Sequence, residues 1–331
     1  MQPKVSVLFP VYNGEKYLRQ SLDSVLNQTF RNFELLILLE YGSNQASREI
    51  VKEAAADSRV RIIENKEVKL GLAESLNRGM KEARGEYIAR MDADDISLPK
   101  RFEKQVKFLN GHPNIVMCGT AMKGLYDDGH MDKRGYFTDS GSIRFECMLG
   151  NPFGHPTVMW RREAFLRENL FYRNTPYSED FELWKRVVAI YPCANLKEYL
   201  LLYRLHGESA SAVYHDTLGS VNDALNKEYL AKCQISYPIT GAFFRGGLSE
   251  DEIKQRENIV CQICHLWDKP RLCHIALEQR MRLFYMANGV YSFRRYWNTF
   301  SFVYNDSFWD KLRIWFSIKM HSIVAMVKIN R

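Results

Sequence analysis

The first two hundred residues alternate short apolar runs with segments of helical period, and this alternation constrains the fold more than any other feature of the chain. A parallel strand buried on both faces reads as a continuous apolar run, while the helix that carries the chain back to the next strand shows a stripe of 3.6-residue period. Val5 to Phe9 reads as the first strand, with Asn13 at an N-cap position before a helix that aligns Leu18, Leu22, Val25 and Leu26. Leu35 to Leu39 reads as the second strand, Arg48 to Ala56 as a helix and Val60 to Ile63 as the third strand. A helix from Leu72 to Ala83, opened by Gly71, and a fourth strand from Tyr87 to Met91 complete the series. The expectation is an α/β architecture with a mostly parallel sheet, in which ligands bind beyond the carboxyl ends of the strands.

Beyond Ala210 the strand signal fades, and helical patterns run from Ser220 to about Glu257 and again from Ile275. With 331 residues there is chain enough for two cores. The expected division is a catalytic domain over 1–215 and a mainly helical, basic and aromatic region over 216–331. The amino terminus shows no signal-peptide pattern, and the apolar stretch around Trp315 to Val327 is broken by Lys319 and His321. Seven cysteines without an export signal predict reduced thiols and a cytoplasmic protein. Cys261-Gln262-Ile263-Cys264-His265, with Cys273-His274 following, matches metal and haem spacings, but three-residue spacing also lines small apolar side chains along one helix face.

The net charge of +7 is concentrated at the end of the chain, where the last 51 residues hold eight Lys and Arg against Asp306 and Asp310. Tyr291, Phe293, Tyr296, Trp297, Phe300, Phe302, Trp309, Trp315 and Phe316 are interleaved there with Arg294, Arg295, Lys311, Arg313 and Lys319. Such a segment fits peripheral contact with an anionic membrane, or aromatics packed inward with the cations left in water. No nucleic-acid-binding module surrounds it, so nucleic acid is not an expected partner.

Strand four runs into Asp92-Ala93-Asp94-Asp95, which crowds three carboxylates into four residues. A hard divalent cation relieves such crowding and is commonly shared between carboxylates and substrate phosphates. The plain alternative is a polar turn in which Asp95 or Ser97 caps the helix near Pro99. Glu179 and Asp180 open an amphipathic helix, where acids complement the helix dipole and where one facing an acceptor hydroxyl becomes a general base. Tyr203-Arg204-Leu205-His206 closes the last strand-like run, placing a histidine at a strand end.

Taken in order, Phe9-Pro10-Val11-Tyr12-Asn13, Gly85-Glu86-Tyr87-Ile88-Ala89-Arg90 leading into Asp92-Ala93-Asp94-Asp95, Glu179-Asp180 and Tyr203-Arg204-Leu205-His206 resemble the family-2 inverting glycosyltransferases over roughly residues 3 to 215. Asn151-Pro152-Phe153-Gly154-His155-Pro156-Thr157 followed by Arg161-Arg162 adds a likeness to bacterial enzymes that extend lipooligosaccharide, O-antigen or capsule chains. The resemblance implies the GT-A nucleotide-diphospho-sugar transferase fold, a Rossmann-like mixed sheet flanked by helices, with a C-terminal helical extension. It implies a donor set of Pro10, Val11, Tyr12, Asn13, Glu40, Gly71, Asp92 and Ala93, with Tyr12 near the base. It implies Mn2+ or Mg2+ held by Asp94, Asp92 and His206, and Asp180 as catalytic base with Glu179 beside it. The implied partners are a nucleotide-diphospho-sugar, a UDP-sugar first, and a glycan or lipid-linked acceptor at the inner face of the cytoplasmic membrane. One position departs from the family, which usually has two Asp before Gly-Ser after strand two, one of them bonding uracil; here the residues are Glu40-Tyr41-Gly42-Ser43. A sugar-nucleotide-binding protein without turnover is the alternative that this departure raises.

Overall fold

The computed structural model describes residues 2–207, 213, 215–239, 243–266, 274–290, 293–300 and 303. β1 (Val5–Val11), β2 (Phe33–Leu39), β3 (Val60–Glu64) and β4 (Tyr87–Arg90) are the four strands foreseen from the apolar runs, each within two residues of its expected bounds. They are joined through α1 (Glu15–Leu26), α2 (Gln45–Ala54) and α3 (Leu72–Glu82). After β5 (Ile96–Ser97) and α4 (Arg101–Gly111) come β6 (Met117–Tyr126), β7 (Met131–Arg134), α5 (Ser140–Leu149), β8 (Met159–Arg161), α6 (Arg162–Arg167), α7 (Glu179–Ile190) and β9 (Cys193–Leu205). The sheet runs β3-β2-β1-β4-β8-β6-β9-β5, with β7 beside β6. β3, β2, β1 and β4 are parallel, β8 is antiparallel to both neighbours, and β6 and β9 form a long parallel pair. A mixed, mostly parallel sheet flanked by helices is the architecture that the sequence implied.

The strand order reverses at β1. From β1 the chain moves outward to β2 and β3, then crosses back to place β4 on the other side, in register from Val5 opposite Tyr87 to Leu8 opposite Arg90. Outside the carboxyl ends of β1 and β4 there is therefore a crevice, because their following loops diverge in opposite directions. α1 buries Leu18, Leu22 and Val25 on one stripe, as the period demanded, but its N-cap is Gly14 and not Asn13. Asn13 takes a left-handed backbone with φ 59° and its side-chain oxygen accepts from the Asn44 amide at 2.9 Å, so it ties two loops together. α3 carries Gly79 where a Cβ would come within 2.9 Å of a Leu8 methyl and 3.0 Å of the Leu38 methyls, so that a larger residue would have to push these side chains aside.

Two compact units divide the chain, one of residues 1–143 and 150–218, the other of residues 144–149 and 219 onward. The second is helical, with α8 (His215–Lys232) entering it, then α9 (Glu250–His265), α10 (His274–Ala287) and α11 (Phe293–Phe300). Ser249 and Glu252 form a reciprocal capping box at the start of α9. Glu257 accepts from Tyr285 Oη and Arg295 Nε, both at 2.6 Å, and Arg295 also reaches Glu250 at 2.8 Å. Tyr296, Trp297 and Phe300 are buried, so these members of the aromatic tail pack inward. Trp309, Trp315, Phe316, Lys311, Arg313 and Lys319 lie outside the described residues. Cys261 and Cys264 sit on α9, where burial pushes the Cys261 thiol up to about 11 and Cys264 is fully buried; Cys273 and the side chain of His274 lie outside the description. No helix among the described residues is long and apolar enough to cross a membrane.

Candidate active site

The acidic turn after β4 is stitched in place by the end of β9. Arg204 gives its amide to Asp95 Oδ1 at 2.8 Å and its Nε to the Asp94 carbonyl at 2.9 Å, while its Nη2 reaches Gln20 on α1 at 2.7 Å. Ser21 of α1 donates to the Asp92 carbonyl at 2.8 Å. Two residues beyond Arg204, His206 Nε2 lies 3.1 Å from Asp94 Oδ2, its ring 5.2 Å from that of Tyr17. Asp95 and Ser97 cap no helix: α4 begins after Lys100 without a side-chain cap, Asp95 serves Arg204, and the Ser97 hydroxyl accepts from Gln28.

One oxygen each from Asp92, Asp94 and Asp95 lies within 4.8 Å of the others. Asp95 is wholly buried, and burial with the charges of Asp92 and Asp94 pushes its carboxyl well above the ordinary range. Its Oδ2 has no hydrogen-bond partner. Asp92 is also pushed up by burial, against the pull of Arg90, with which it forms an ion pair. Arg90 is 2% exposed, and its charge also acts on Asp180, Glu179 and Asp95. Three crowded carboxylates, one with an orphaned buried oxygen, fit a hard divalent cation, which takes oxygen ligands and offsets the repulsion.

On one side of this turn lies a cavity of about 610 Å³. Pro10, Val11, Tyr12, Asn13, Glu40, Gly71, Asp92, Ala93, Asp94 and His206 all line it, so the structure brings the whole expected donor and metal set around one cavity. Within the set Glu40 behaves differently from the rest, because its carboxylate already takes five hydrogen bonds from the protein. Burial alone would push its carboxyl up, but donation from Asn65, Leu70, Tyr41 and Gly71 more than reverses this and holds it below the usual glutamate value.

On the other side lies a cavity of about 760 Å³ lined by Glu179, Asp180, Asn151, Tyr177 and, again, Asp92 and Asp94. Asp180 Oδ2 accepts from Asn151 Nδ2 at 2.8 Å and Oδ1 from the Phe181 amide at 2.7 Å. Burial pushes Asp180 up in spite of these bonds, and Glu179 is pushed up to about 7 by burial and by the charge of Asp180. Tyr177 holds a left-handed backbone with φ 60° just before this helix, strain of a kind that gathers at functional sites. Sequence reasoning missed the buried Arg90, and it counted Asp95 among the crowded carboxylates without naming it in the metal set. Arg90 reads as an ordinary strand-end residue, and only its 2% exposure marks it out.

A sheet of this order with acids clustered at its switch point defines a GT-A glycosyltransferase fold. The model of glycosyl transferase family 2 matches residues 6–170. The O-antigen biosynthesis glycosyltransferase WbnJ of Escherichia coli is 32% identical over 231 residues, covering 67% of this chain and 89% of the relative. The amylovoran biosynthesis glycosyltransferase AmsE of Erwinia amylovora is 33% identical, with 60% of this chain and 75% of the relative covered. Among solved structures, S. aureus TarS 1–349 in complex with UDP-GlcNAc superposes with a TM-score of 0.56 at 17% identity, over 85% of this chain and 86% of that one. The mannosyltransferase PcManGT of Pyrobaculum calidifontis, in complex with GDP-Man and Mn2+, gives 0.51 at 15% identity, over 99% and 87%. The chain belongs to the family-2 glycosyltransferases and is an enzyme of that class.

Proposed function

We propose that this enzyme is an inverting transferase that moves a hexose or N-acetylhexosamine from a nucleotide-diphosphate sugar, a UDP-sugar first, to a glycan or lipid-linked glycan acceptor in bacterial surface polysaccharide synthesis. The reading rests on one observation above the others: Asp92 and Asp94 line both cavities, so the residues of the donor set and Asp180 approach a common wall from two sides. The E. coli and Erwinia relatives support the acceptor class, and the bound UDP-GlcNAc of TarS supports the donor.

Asp92 and Asp94, with His206 beside Asp94, would hold Mn2+ or Mg2+, which when bound neutralises negative charge on the diphosphate. Asp180 takes the proton of the acceptor hydroxyl, while Asn151 and the Phe181 amide orient its two oxygens. The hydroxyl oxygen forms the new bond to the anomeric carbon as the bond from that carbon to the diphosphate oxygen breaks, its electron pair leaving with the nucleoside diphosphate. A single displacement inverts configuration, so an α-linked donor gives a β-linked product. Burial holds Asp180 above the usual carboxylate range and so keeps it basic, and its charge in turn helps push the neighbouring Glu179 up to about 7.

The catalytic machinery is assigned to residues 1–215, and residues 216–331 to an accessory region that packs or meets the membrane surface on the cytoplasmic side. Asp180→Asn is expected to bind donor as the wild type does and to lose roughly 10²–10⁴-fold in transfer. Calorimetry paired with a nucleoside-diphosphate release assay checks both, and substantial transfer by the variant would contradict the assignment.

A further inference from the structure

The residues after β2 occupy the place where an acid was expected to read the base, and the geometry there leads elsewhere. Glu40 Oε1 accepts from the amides of Tyr41 and Leu70 at 2.9 and 3.0 Å and from Asn65 Nδ2 at 3.0 Å. Oε2 accepts from the Gly71 amide at 2.9 Å and from Ser75 Oγ at 3.1 Å. A carboxylate has about four lone-pair sites, so five donors fill it. The side chain is 5% exposed and has no capacity left for an N–H on a ligand. The next residue, Tyr41, is exposed and brings a phenol in place of a second acid. The other acids on this wall, Asp92 and Asp94, belong to the acidic turn.

Glu40 instead fastens the connection between β3 and α3. Gly71 adopts φ 80°, a left-handed backbone that turns its amide back onto Oε2 and that glycine alone adopts without strain. Held on this connection is Lys69, whose ammonium lies 3.6 Å from the ring centroid of Tyr12 on the wall of the same cavity. Lys69 makes no hydrogen bond or ion pair among the described residues. Tyr12 is 48% exposed, a flat π-face open to a stacking partner. An exposed cation over an aromatic ring is held weakly, so a nucleobase can take its place on the ring and leave the ammonium at the base's edge.

Building on the donor-site reading above, we propose that Lys69 is the residue that reads the nucleobase, and that Glu40 is a positioning residue that holds the Lys69 loop. An ammonium offers three donors and no acceptor. It therefore rewards the carbonyl edge of uracil, thymine or guanine over the amino edge of cytosine or adenine. The ligand class is a keto-base nucleoside diphosphate.

The test is calorimetric binding of UDP, dTDP, GDP, CDP and ADP, each with Mn2+, to the full chain and to Lys69→Met and Glu40→Gln. The wild type is expected to prefer the three keto bases by about tenfold to a hundredfold, the value of one hydrogen bond from a charged donor. Lys69→Met removes that preference and leaves CDP and ADP unchanged. Glu40→Gln, assayed where circular dichroism shows it folded, loosens the Lys69 loop and so weakens UDP, dTDP and GDP more than CDP and ADP, narrowing the preference without abolishing it. A keto preference left at its wild-type size in folded Glu40→Gln, or an equal loss for all five or no loss in Lys69→Met, overturns the assignment. Failure of all five to bind the wild type would overturn the donor-site reading itself, and this inference with it.

Discussion

Glu40 and Glu179 are the same side chain in two cavities that share a wall, and the protein treats them in opposite ways. In the cavity lined by Tyr12 and Lys69, Glu40 is filled with hydrogen bonds and held below its ordinary pKa. Across the acidic turn, Glu179 is pushed up to about 7 by burial and by Asp180. The difference lies in who donates. Backbone amides and Asn65 converge on Glu40, so its charge is solvated by the fold. Glu179 and Asp180 crowd each other on the first turn of a helix, so their charge is left available to whatever enters. On the proposed mechanism one acid builds the site and the other is part of its chemistry.

The contrast breaks most visibly if the two acids respond alike to losing their charge. Glu40→Gln turns donors against a side-chain amide in a buried place and is expected to cost about 3 kcal/mol in urea denaturation. Glu179→Gln relieves repulsion and is expected to leave stability unchanged or raised. Their pH dependences differ in sign. Glu40, depressed in the folded state, contributes stability that is complete above the unfolded glutamate value of about 4.3 and is lost as pH falls through its lower folded value. The gap between wild type and Glu40→Gln therefore narrows in acid. Glu179, raised in the folded state, contributes stability below about 4.3 that is lost as pH rises through about 7. Equal losses for the two variants at pH 8 would erase the distinction.

A smaller effect sharpens it. The base must be ionised to accept a proton, so kcat/KM is expected to rise with pH along an acid limb whose midpoint belongs to the Glu179–Asp180 pair and lies above the usual carboxylate range. Glu179→Gln removes the neighbouring charge and is expected to move that midpoint down by about one pH unit. An unmoved limb would detach Glu179 from the base.

Much of this site was legible in the sequence for a physical reason: strands of an open sheet end where ligands bind, so acids that directly follow strand-like runs mark the crevice. Asp92, Asp94 and His206 directly follow strand-like runs, whereas Asp180 was singled out as an acid opening a helix; together they line two cavities that share Asp92 and Asp94. The role of Glu40 was not legible, because three of its five donors are backbone amides, which leave no trace in residue identity. Asn13 reads as a helix cap by composition, yet its left-handed backbone turns it toward Asn44. The order β8-β6-β9-β5 also escaped the pattern, since pairing of β6 with β9 joins residues some eighty apart, and periodicity within a strand says nothing of its neighbour.

On the proposed function, the wall shared by the two cavities is a metal-dependent donor site. Release of nucleoside diphosphate from a panel of UDP-, GDP- and dTDP-sugars, with Mn2+ and with EDTA, measures it directly. Consumption of one nucleotide class with Mn2+ that stops with EDTA is the predicted result. Consumption that EDTA leaves untouched, or none from any donor alongside a folded protein, would contradict it.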